Sequence, residues 1–141
     1  MTDDQFTLAF ETCELPGEEF HHRGHLRLAW IYLRRYGTPE AGARIAESIR
    51  RFAAHHGKAD RYHQTMTQAW LTLMEAASAG VAEWASFEDV VAAFPDLLDK
   101  SVLRRYYSGL VLESEAARSS FVQPDLAALP LPGSPRLLRA H

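Results

Sequence analysis

A single cysteine, Cys13, occurs in the 141 residues. It can form no internal disulfide, and without a CxxC pair there is no cysteine-based zinc motif. Nothing beside it would activate a thiolate, so it reads as a small hydrophobe. Charge of one sign is lacking too: the formal net charge is -3 with histidine neutral. That balance offers no basic surface excess for nucleic acid. No apolar run is long enough to span a membrane. The opening MTDDQFTLAF is acidic where a secretory signal is basic, and it has no long apolar stretch. These absences lead to the expectation of a cytoplasmic protein that contacts neither membrane nor nucleic acid. Alternating strand pairs, internal repeats and low-complexity segments are also missing.

What is present is an ordinary globular composition, 47% hydrophobic and 23% charged. A chain of this length can bury a core without staples. After a turn at LPGEEF, the segment FHHRGHLRLAWIYLRRY (20–36) carries Leu26, Ala29, Trp30, Leu33 and Tyr36 at helical spacing. Glu18 and Glu19 precede it and Arg34 and Arg35 end it, as the helix dipole favours. Gly24 blurs its start and Gly37 terminates it. A second helix has Thr38 as cap, Pro39 in its first position and a stripe of Ile45, Ile49, Phe52 and Ala53 up to Gly57. A third is capped by Asp60, presents Met66, Ala69, Trp70, Leu73, Met74 and Ala77, and stops at Gly80. Ser86 and Asp89 form a capping box for a short helix that Pro95 ends. Further short helices are expected over 99–107 and 114–121. The expected fold is all-α: a compact orthogonal or bundle-like helical domain over 1–123, with an extended, proline-rich tail over 124–141 packed on it or trailing from it.

Three histidines in five positions, FHHRGH, stand where the first long helix begins. His22 and His25 are three apart and share a face, while His21 falls to one side. His63 stands in the first turn of the third helix. Short connections should run the three long helices up, down and up, which places the starts of the first and third at one end. His22, His25 and His63 would then share that end. Three neutral imidazoles suit one divalent metal, Zn or Fe. The fourth position could be Glu11, Glu18, Glu19 or water, and a metal-bound water would make hydrolysis the simplest reaction. An Fe(II) oxygenase would need Glu11 or Glu18 close by. The segment lacks the HExxH glutamate of metalloproteases. The competing structural reading makes the same three histidines caps and hydrogen-bonding groups at helix ends. His55 and His56 suit a helix C-terminus, and His141 is terminal.

Other polar residues join the candidate site. Glu11 could complete the metal shell or act as base, and Thr67 and Tyr107 could orient substrate. Thr65, Arg118 and Trp30 are candidate substrate contacts, Arg118 through a bidentate hold on an anion. Each has a plainer role: a threonine bonding back to its own turn, a core-margin aromatic, or an Arg118–Asp125 ion pair that anchors the tail. The alternative function is a metal-free small-molecule-binding or accessory protein, with Trp30, Tyr32, Trp70 and Tyr107 lining a cavity. A homodimer is compatible with either.

The residues His22, His25, Leu26, Ala29 and Trp30, then Tyr62, His63, Thr65 and Thr67, then Tyr107 and Ser108, and finally Ala117, Arg118, Pro124, Asp125 and Leu126, form a pattern. It reads H-x-x-H-L with A-W, Y-H-x-T-x-T, Y-S, and A-R before P-D-L. In this pattern the chain resembles a family of small uncharacterised bacterial helical proteins over about residues 10–131. The resemblance implies that these separated residues belong together, and it implies no activity.

Overall fold

The computed structural model describes residues 1–132, and among these there are helices and turns but no strand. The first helix, α1 (Asp3–Glu11), is one that apolar periodicity does not announce. Its start is fixed by a capping box in which Thr2 and Gln5 satisfy each other's backbone amides. Its end turns through Cys13, whose φ of 64° is unusual for a residue with a side chain. Salt bridges from Arg27 to Asp3 and from Arg35 to Asp4 hold α1 on the next helix.

Three long helices form the centre: α2 (His22–Tyr36), α3 (Glu40–His55) and α4 (Gln64–Ala79). Helix α2 packs against both α3 and α4. Gly37 ends α2 with φ 68°, a conformation that a side chain would strain. Pro39, rather than Thr38, stands at the cap of α3, and the Thr38 hydroxyl instead donates to Glu75 on α4 at 2.7 Å. The cap of α4 is His63 and not Asp60, because residues Ala59–Arg61 close into a separate 3-10 turn. The expected capping box of Ser86 and Asp89 does begin α5 (Phe87–Ala93), and Pro95 starts a 3-10 turn after it.

The expected helix over 99–107 is a 3-10 segment, Lys100–Arg105. Two short helices follow, α6 (Gly109–Leu112) and α7 (Glu115–Ser119), and α7 lies on α4. The fold is thus an all-helical, compact, bundle-like domain. Its core runs continuously from Phe10 through Leu26, Leu28 and Tyr32 to Ile45, Leu73, Met74, Leu97 and Tyr107. Each such side chain stabilises the fold by roughly 1.5–3 kcal/mol when fully removed from water. No helix among the described residues is long and apolar enough to cross a membrane.

The first part of the expected tail is tied down. The Leu126 amide donates to the Tyr106 carbonyl at 2.9 Å, and Pro130 is buried. Its remainder, residues 133–141 with His141, lies outside the described residues.

Candidate functional site

The histidines that the sequence groups at one helical end are placed differently. The His22 ring lies edge-on to Trp70, with centroids 4.4 Å apart. Trp70 is seven residues beyond His63, or about 10 Å along the helix at 1.5 Å per residue. The start of α2 therefore meets α4 two turns in, and His22 is offset from His63.

The nitrogens are also committed. His22 Nε2 donates to the Leu97 carbonyl at 2.8 Å. His63 Nδ1 accepts the Met66 amide at 3.1 Å, and its Nε2 donates to the Leu112 carbonyl at 2.7 Å. Both ring nitrogens of His63 are used, which fixes the Nε2-protonated tautomer. Among the described residues no group of three or more histidine, cysteine, aspartate or glutamate side chains is placed to hold a metal ion. The expected zinc or iron centre at His22, His25 and His63 is therefore corrected, and the metal-dependent hydrolytic reading falls with it. The helix-end reading of the same residues accounts for His63 as a cap and for His22 as a link to the turn at Leu97.

Of the three, only His25 has neither ring nitrogen in a hydrogen bond among the described residues. Its ring meets the edge of Phe20 at 5.2 Å. Burial, with His22 nearby, pushes its pKa down to about 4, so the ring is neutral at neutral pH. Burial lowers the pKa of His22 as well, against the opposing pull of the Leu97 carbonyl.

His22 and His25 form part of one wall of an open cleft of about 670 Å³. Phe20, Met66, Trp70, Leu103 and Leu112 supply its apolar lining. Gly24 permits this wall: a Cβ there would stand 3.3 Å from the Phe20 ring. Lys100, Arg104 and Glu113 stand at the polar margin, and His63 is not part of it. Phe20, Met66, Lys100 and Arg104 carry no site signal in the sequence. Phe20 and Met66 look like core in a periodicity pattern. The two cations belong to a far segment that only the tertiary fold brings to the start of α2.

The remaining candidates lie elsewhere and are already bonded. Glu11 accepts the Tyr32 hydroxyl at 2.5 Å, and Tyr32 also meets Ser48 at 2.9 Å. Burial and the Glu11 bond raise the Tyr32 pKa. The Thr67 hydroxyl donates to the His63 carbonyl at 2.8 Å, its own preceding turn. Thr65 donates to the Ser120 carbonyl at 2.9 Å and accepts the Val122 amide at 3.1 Å. Tyr107 donates to the Val122 carbonyl at 2.7 Å, and burial raises its pKa to about 12. Arg118 reaches the Asp60 carbonyl at 3.1 Å rather than Asp125. Asp125 accepts the Ser108 amide at 2.8 Å, which lowers its pKa. Trp30 packs beside Phe87 beneath the Arg34 guanidinium, away from the cleft. His63, Thr65, Tyr107, Ser108, Arg118 and Asp125 each bond across the chain rather than to a common site. They form a line of hydrogen bonds that straps residues 107–125 across the start of α4. No family model, curated protein or solved structure matches the chain.

Proposed function

We propose that the chain is a metal-free small-molecule-binding protein whose ligand occupies the cleft at the start of α2. The observation that carries this reading is the contrast between its walls. Phe20, Met66, Trp70 and Leu112 offer apolar and aromatic surface, while His25 offers two ring nitrogens with no hydrogen-bond partner among the described residues. Small-molecule sites have this composition, a mostly apolar hollow with a few polar groups that set orientation. A neutral imidazole carries one N–H donor and one acceptor, so it can meet a hydroxyl, carbonyl or amide of the ligand. The reading assigns no reaction.

The test is titration with N-phenyl-1-naphthylamine, an uncharged dye that brightens in apolar surroundings. Saturable brightening is expected with the wild type. Met66→Glu puts a carboxylate in the wall and is expected to weaken dye binding at least tenfold, with the helical circular dichroism spectrum retained. Absence of saturable brightening in the wild type would remove the proposal.

A further inference from the structure

A second hollow of about 650 Å³ adjoins the cleft and shares Phe20, His21 and Lys100 with it. Its other walls include His56, Lys58, Arg61 and Tyr62. The two hollows differ in character. The first carries Lys100 and Arg104 at the margin of its apolar wall, and the second sets Lys58, Arg61 and Lys100 around Ile49, Phe52 and Tyr62.

Most basic side chains of the described residues are already engaged. Arg23, Arg27, Arg35, Arg44, Arg51 and Arg105 have carboxylate partners. Arg34 and Arg118 donate to backbone carbonyls, and Arg50 donates to Gln64. Lys58, Arg61, Lys100 and Arg104 are the cations left without a side-chain hydrogen bond, ion pair or ring contact among the described residues. All four line the joined hollows. Glu18 and Glu113 also line them but form no ion pair with these cations. Unpaired cations converging on a concave surface raise the local potential for an anion.

His56 adds a second observation. Its ring packs on Phe52 at 4.4 Å and within 3.3 Å of where a Gly17 Cβ would stand. Its Nε2 is buried with no hydrogen-bond partner among the described residues. A buried polar nitrogen without a partner is costly, and a small shift of the ring would present it to an oxyanion lodged against this wall.

We infer that the ligand is a small amphipathic oxyanion, with its apolar body against Phe20, Met66 and Trp70 and its carboxylate or phosphate head among Lys58, Arg61 and Lys100. This rests on the proposed use of the cleft and adds the class of molecule. Arginine can hold either head through paired N–H donors, and the lysines act as point charges.

The test compares octanoate, octyl phosphate and octanol by isothermal titration calorimetry, each kept below its micelle-forming concentration. At least one anion is expected to bind tenfold or more tightly than octanol, and the tighter of the two identifies the head group. In the Lys58→Gln/Arg61→Gln double variant that preference is expected to shrink at least fivefold while octanol binding is unchanged. Both exchanged side chains are exposed, so the fold is not at risk. Octanol binding as tightly as both anions would overturn the anionic class and leave the cleft proposal standing. An anion preference that survives the double variant would overturn the placement of the head. No binding by any of the three would overturn both.

Discussion

At His25 the ring is neutral at neutral pH because charging it would mean burying a cation beside His22. Its pKa lies near 4 in the folded chain against 6.5 for a free histidine. Between those two values the unfolded chain binds the extra proton and the folded chain does not. Stability therefore falls as the pH is lowered from 6.5 towards 4, by up to about 1.4 kcal/mol per pH unit for one proton. Above that window this group contributes no pH dependence. Urea unfolding at several pH values should show the slope in the wild type and a shallower one in His25→Gln. Some slope should remain, since the His22 pKa is lowered too. Equal slopes in the two proteins would mean that the His25 ring takes up its proton freely in the fold. Cys13 offers a second residue-scale expectation. With φ at 64°, a branched side chain there clashes with its own backbone. Cys13→Val should unfold about 1–2 kcal/mol more easily than Cys13→Gly, as read by thermal or urea denaturation.

Among the elements, the segment over residues 107–125 depends on a few side chains of α4 and its cap. Thr65 is fully buried and bonds both to Ser120 and to Val122. Thr65→Val keeps the shape and removes both bonds, so a loss of about 1–3 kcal/mol is expected. Faster hydrogen exchange at the Val122 amide would locate the damage, and Thr65→Ser should restore slow exchange. Unchanged exchange in the valine variant would show that Tyr107 and His63 hold the segment alone. The three long helices were legible in the sequence because their apolar stripes, glycine stops and caps agree with one another. Helix α1 was not, although Thr2 and Gln5 spell its capping box, because its stripe is short and an exposed leucine, Leu8, interrupts it. The His22–His63 grouping failed for a reason no periodicity contains. Short connections give helix direction, but the sliding of α2 along α4 is set by how His22 meets Trp70. Thr65, Tyr107, Ser108 and Asp125 were legible in the sequence as noteworthy polar residues. Their chemistry was not, because a threonine that holds a backbone carbonyl and one that orients a ligand look the same in sequence.

Over the whole molecule, the centre and the strap are held by different means. Helices α2, α3 and α4 are joined through a continuous apolar core. The strap adds Tyr107, Leu112 and Ala117 to that core and is otherwise tied by single hydrogen bonds. Elements with less buried apolar surface open at lower free energy. Native-state hydrogen exchange should therefore find the amides of residues 109–122 opening before those in the middle of α2 and α4. A ligand in the cleft would narrow the gap, because it would bridge α2, α4 and the strap. Protection that rises equally at every amide would mean that the domain opens only as a unit.

The Leu112 wall has a consequence for the order in which the protein comes into being. A ribosome releases the chain from its N-terminus, and the elements made first can fold first. Phe20, His25, Met66 and Trp70 emerge well before Leu103, Leu112 and the residues up to Asp125 that fasten them. During synthesis the apolar half of the cleft stands open, with no opposite wall. The cleft can close only after Leu103 and Leu112, with the residues up to Asp125 that fasten them, have left the exit tunnel, so until then its aromatic wall is exposed to whatever the nascent chain meets.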